Sequence, residues 1–124
     1  MSKAATSVLV FGVYMVLLGL VLLVVPNALL RPFGFAATTE VWIRIVGVLV
    51  LCLAFYYVRA ARREMIEFFG WTVIVRTFVF LALAALVAVK LAAPPLVVFG
   101  SIDLLGAIWT AVSLRQRKIP VRVR

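Results

Sequence analysis

Residues 96–108, LVVFGSIDLLGAI, place one carboxylate, Asp103, in the middle of an apolar helix. A charge at that depth of a bilayer costs on the order of 3 kcal/mol on insertion scales, so it is turned away from lipid toward a partner or a wet cavity. The chain offers two basic partners, Arg44 and Arg76, each embedded in its own apolar run. This stretch therefore implies a bundle of membrane-crossing helices around a polar centre, and the remaining segments must supply the other helices.

Composition agrees. The 124 residues are 67% hydrophobic with a mean hydropathy of +1.26, against ~45–50% apolar content in a soluble domain. A net charge of +9 would suggest nucleic acid in a soluble protein. Here the basic residues fall in short clusters between apolar runs, a pattern of membrane orientation and lipid headgroups, and nucleic acid is rejected as a partner. One cysteine, Cys52, and no histidine exclude an intramolecular disulfide, a CxxC redox pair and a zinc cluster, so neither metal nor cofactor is expected. Cys52 itself, beside Leu51, Leu53 and Ala54, is expected as a small core hydrophobe.

Four apolar runs, 8–25, 41–58, 69–89 and 96–114, each have the length that a ~30 Å hydrocarbon core requires. The first is longer than the ~7–15 residues of a signal-peptide core and ends at Pro26 without a small-x-small site, which makes it a retained span. Gly12 and Gly19 lie on one of its faces, where another helix can approach closely. Residues 27–35 (NALLRPFGF) read as an interfacial connector. Thr38 or Thr39 is the expected N-cap of the second span, with Glu40 in its first turn and four residues before Arg44. Trp42, Tyr56 and Tyr57 match aromatic belts. Residues 59–67 (RAARREMIE) form an aqueous charged loop, and Pro94-Pro95 predict a helix that starts at the second proline.

The tail after residue 114, RQRKIPVRVR, is too polar for a fifth span and is expected to be partly disordered. The expected architecture is thus all-α: an up-down four-helix transmembrane bundle over residues 1–118 with a basic tail at 119–124. Nine Lys and Arg residues lie at the N-terminus, the 59–67 loop and the tail, against two, Arg31 and Lys90, on the opposite side. That bias places both termini in the cytoplasm of a cell whose membrane the protein crosses.

Helical rise puts Asp103 about 10 Å below the outer face, Arg44 about 5 Å below it, and Arg76 about 10 Å inside from the cytoplasmic face. Gly100, Asp103, Ala107 and Thr110 share one face of the fourth span, and Thr72 and Arg76 share one on the third. Arg44, Gly47, Leu51 and Ala54 do so on the second, and Gly12 with Gly19 would complete the lining. The candidate ligand-binding set is Arg44, Arg76, Asp103, Thr72 and Thr110, with Asp103 also the candidate catalytic residue. An ion pair of Asp103 with Arg44 or Arg76 is expected. The plain alternative is a buried pair that only fixes helix register. Two arginines for one deep acid leave an inward cation for an anionic or carbonyl-bearing ligand, unless Glu40 answers Arg44.

In RPFGF at residues 31–35, WIRIVG at 42–47 and FGSID at 99–103, the chain resembles the small four-helix bacterial membrane proteins of the broad DoxX-like group. The resemblance implies a compact bundle in the bacterial inner membrane, some of whose relatives work with quinone-linked redox partners. Small multidrug transporters share the length but depend on an acid in the first span, where this chain has only the phenol of Tyr14. The glycine-rich first span and following arginine of small fluoride channels are not reproduced either. Two functions lead. One is a binding module or accessory subunit that holds an amphipathic small molecule or lipid at the Arg/Asp centre, with a membrane-protein partner or a second copy of the chain. The other is a membrane-embedded enzyme of isomerase or cyclase type using Asp103 as acid or base; a small transporter ranks below both.

Overall fold

A computed structural model describes residues 1–122. It contains α1 (Lys3–Val24), α2 (Pro26–Leu30) with a following 3-10 turn (Arg31–Phe33), α3 (Trp42–Arg62), α4 (Ile66–Ala88) and α5 (Leu96–Arg122), with no strand among the described residues. The helices α1, α3, α4 and α5 are each long and apolar enough to cross a membrane. The protein is a multi-pass helical membrane protein built as a four-helix bundle, as expected.

The helix ends show how individual residues set boundaries. α1 starts at Lys3, ahead of the apolar run, because Ser2 caps it: the Ser2 hydroxyl accepts the Ala5 N–H at 3.0 Å. The Ser2 backbone N–H and hydroxyl in turn donate to the two carboxylate oxygens of Glu64, each at 2.8 Å. This is the logic of a capping box with its acid supplied from a distant turn. That turn is residues 63–65, with Glu64 at φ 52. The expected 59–67 loop is therefore shorter, and Arg59 and Arg62 belong to the last turn of α3, where cations suit the helix dipole.

Neither Thr38 nor Thr39 caps α3, whose N-cap is Val41 without a side-chain bond. Thr38 is committed locally instead. Its hydroxyl accepts the Glu40 N–H at 3.0 Å, and its backbone N–H and C=O both bond the Asn27 side chain, at 2.9 and 3.0 Å. This clamps the connector to α2. The connector's Phe33 ring lies 4.9 Å from that of Phe99, covering the start of α5. That helix begins one residue beyond the expected proline, and the N–H groups of Leu96, Val97 and Val98 bond back to Ala93, Pro94 and Pro95. The α5 backbone is helical through Arg122, where a partly disordered tail was expected; residues 123–124 of that tail lie outside the described residues.

α1 lies against α3 and α5, and α4 lies against α5, whereas the consecutive helices α3 and α4 barely touch. The tightest seam is α1 on α3. A Cβ on Gly47 would stand 2.8 Å from both the Gly19 carbonyl oxygen and the Leu23 nitrogen, so only glycine permits this backbone contact. Gly12 faces Tyr57 and Val58. Gly12 and Gly19 therefore serve the α3 seam and do not line a polar centre. Cys52 is exposed on α3, outside the core expected for it, because the seam face of that helix is taken by Gly47, Ala54 and Tyr57.

The core gathers at one end. It joins Ala4, Ala5, Val8, Phe11 and Met15 of α1 to Ala54, Tyr57, Ala60 and Ala61 of α3 and Phe69 of α4. On α4 only Phe69, Thr72 and Arg76 are buried. The apolar core thus lies at the Ser2–Glu64 end, while toward the connector α1 and α3 stay in close contact through Gly19 and Gly47, and the polar centre adjoins the core at Phe11, Tyr57 and Phe69.

Candidate functional site

Arg76 projects from α4 into the bundle and is 2% exposed. Its Nη2 donates to the hydroxyls of Thr72 at 3.0 Å and Thr110 at 2.9 Å, and its Nε to the Thr72 carbonyl at 3.3 Å. Thr72 is one turn back on the same helix, and its own hydroxyl donates to the Phe69 carbonyl at 2.7 Å. Thr110 of α5 contacts the Ser7 hydroxyl of α1 at 2.7 Å, and Ser7 donates to the Ala4 carbonyl at 2.7 Å. With the Ser7 hydrogen spent on Ala4, Thr110 is the donor to Ser7. A single directed chain of bonds then runs from Arg76 through Thr110 and Ser7 to the Ala4 carbonyl, tying α4, α5 and α1 together. Each threonine turns its hydrogen away and offers its lone pair to the cation, an arrangement whose members polarise one another.

Aromatic faces answer the rest of the charge. The guanidinium carbon lies 4.7 Å from the Phe11 ring centroid and 5.8 Å from that of Tyr57, within cation–π range. Nη1 is buried and has no hydrogen-bond partner among the described residues. It rests against Gly106, where a Cβ would lie 2.9 Å from it and 3.0 Å from Phe11 Cδ1. The absence of a side chain at 106 is what gives the guanidinium its room.

Asp103 lies one turn from Gly106 on α5 and is half-buried. It is close enough to Arg76, Tyr57 and Tyr14 to interact electrostatically with all three. Arg76 spends its hydrogen bonds on Thr72 and Thr110, and the expected direct ion pair with Asp103 is not formed among the described residues. Arg44 lies elsewhere. Near the start of α3 it stands beside the end of the antiparallel α1, and its Nη1 donates to the Leu23 and Val24 carbonyls. These are orphan acceptors of a helix C-terminus, the natural partner for a cation at that position. Arg44 makes no pair with Glu40 or Asp103 among the described residues.

Of the expected set, Arg76, Thr72 and Thr110 therefore meet directly, Asp103 is their electrostatic neighbour, and Arg44 is separate. Ser7, Phe11, Tyr57 and Gly106 complete the site and were not anticipated. Ser7, Phe11 and Tyr14 recur at helical spacing, a signal hidden because Ser7 precedes the apolar run that marks the first span.

A cavity of about 290 Å³ opens between α1 and α5, lined by Ser7, Val10, Phe11, Tyr14, Ile102, Leu105, Gly106 and Trp109. Phe11 and Gly106 belong both to its wall and to the surroundings of Nη1. Among the described residues no cluster of His, Cys, Asp and Glu is placed to hold a metal ion. The site combines a buried hydrogen-bond donor, a nearby carboxylate and an aromatic-lined pocket of mostly apolar surface. These features define a membrane bundle with an internal arginine centre. No family model matches the chain, and comparison with curated proteins and with solved structures finds no match.

Proposed function

We propose that the protein is a binding module or accessory subunit that holds an amphipathic molecule between α1 and α5. In this reading the polar end of the ligand takes the place of part of the Phe11 ring and accepts from Arg76 Nη1, while its apolar part leaves toward the lipid. The observation that carries it is the buried Nη1, without a hydrogen-bond partner among the described residues, beside Gly106 and Phe11, two residues that also line the cavity. A donor so placed favours an acceptor that displaces the ring, and a pocket at the small end of ligand-site volumes suits a headgroup better than a whole lipid. The site residues in this reading are Arg76, Thr72, Thr110 and Asp103, with Arg44 outside it.

The same proposal places the bundle in the bacterial inner membrane with both termini cytoplasmic, as the charge bias and the resemblance to the DoxX-like group suggest. Native mass spectrometry of the protein released from mild detergent tests it. Wild type should carry a discrete non-covalent adduct, lost in Gly106→Ala and Arg76→Met and kept in Arg62→Gln. An adduct-free wild type, or one whose adduct survives both substitutions, overturns the reading.

One observation favours a second reading. Among the described residues no guanidinium engages the carboxylate of Asp103, which leaves it available as an acid or base for an isomerase- or cyclase-type reaction on a lipid-soluble substrate. Asp103→Asn separates the two, since it should abolish turnover yet leave the adduct of a pure binding module in place.

A further inference from the structure

The connector end of the bundle holds a second cavity, about 440 Å³, lined by Val24, Val25, Pro26, Asn27, Ala28, Arg31 and Arg44. Two guanidiniums line it and, among the described residues, no carboxylate does. Arg44 uses Nη1 on the Leu23 and Val24 carbonyls, which fixes the side chain across the end of α1. Its other donors, and the whole Arg31 guanidinium, make no bond among the described residues. Asn27 is already committed on both side-chain atoms to Thr38, so it holds the wall in place and does not compete for a ligand. The remaining lining is apolar, and Trp42, two residues before Arg44 at the start of α3, is 53% exposed, as an interfacial anchor would be.

We infer that this cavity is a binding site for a phosphate group, carried by an anionic lipid headgroup or by the free anion. A phosphate offers several acceptor oxygens to two planar forks, the pairing at which arginine excels. The setting fits as well: the site lies at the end of a membrane-crossing helix, where headgroups reside, with valine and proline beneath for the glycerol and upper acyl chain. The assignment is independent of the interior Arg76 site, and neither lining arginine takes part there.

The test titrates the detergent-solubilised full chain with phosphatidylglycerol, phosphatidylcholine or inorganic phosphate and reads bound molecules by native mass spectrometry. Wild type should prefer phosphatidylglycerol over phosphatidylcholine. Arg31→Gln should weaken the tightest phosphatidylglycerol site about tenfold, the scale of one lost charge-assisted hydrogen bond. Its thermal stability should be unchanged, because the Arg31 side chain makes no bond among the described residues. Arg62→Gln, in the basic cluster at the opposite end, should leave that site intact. Displacement of the lipid by millimolar inorganic phosphate assigns the free anion as a sufficient ligand, and resistance to displacement assigns the lipid; both uphold the phosphate site. Equal affinity in wild type and Arg31→Gln, or an equal loss in Arg62→Gln, overturns it and leaves the interior reading standing.

Discussion

Among the described residues the guanidinium of Arg76 is held by oxygens and rings and by no direct counter-ion, and this decides how its neighbours respond to substitution. Thr110→Val removes one of its acceptors and interrupts the path to Ser7. A lost hydrogen bond to a charged group costs about 1.5–3 kcal/mol, and thermal unfolding in detergent should show a matching loss of stability. Arg76→Met should cost less than Thr110→Val, since it removes the buried charge together with its need for partners. The double substitution should then be milder than Thr110→Val alone, and a double-mutant cycle measures this coupling. Simple additivity would show that the Thr110 bond does not support the cation. Gly106→Ala tests the same packing from the other side and should destabilise by about 1–3 kcal/mol through overpacking. The sequence made the charges of this site visible, because an ionised group in an apolar run stands out. It did not make Ser7 or Gly106 visible, because small residues in spans serve equally well as helix contacts, and only the fold shows which ones meet a guanidinium.

Among the elements, the α1–α3 seam is where glycine matters most. Gly47→Leu would set a branched side chain against the Gly19 carbonyl and the Leu23 nitrogen of α1, neither of which can move without shifting the helix. The expected result is a lower yield of folded protein and a fall in melting temperature larger than that of Gly70→Leu, because among the described residues nothing lies within 4 Å of a Cβ at 70. Similar melting temperatures for the two variants would show that α1 and α3 do not approach this closely. The spans themselves were legible from hydropathy, since each must cross the same apolar thickness. Their ends were not, where the deciding partner is remote. The start of α1 depends on Glu64, 62 residues away, and the acceptors that hold Arg44 belong to another helix.

Across the whole molecule, two contacts fix relative orientation before any membrane is considered. Ser2 bonds Glu64, which puts the N-terminus and the α3–α4 turn at one end. Ser7 meets Thr110, which brings the last part of α5 to that end too. Lys90, between α4 and α5, and Arg31 belong to the opposite end. The orientation proposed above, with the Ser2–Glu64 end cytoplasmic, rests on the bias of nine basic residues against two. In a Cys52→Ser background, a membrane-impermeant maleimide should label Arg31→Cys and Lys90→Cys in intact cells, and Lys3→Cys and Arg63→Cys only after permeabilisation. The two halves of the argument fail differently. A full reversal of the labelling would keep the fold and refute the orientation. Opposite behaviour of Lys3→Cys and Arg63→Cys would place Ser2 and Glu64 on different sides of the membrane, and no four-helix bundle with their hydrogen bonds survives that result.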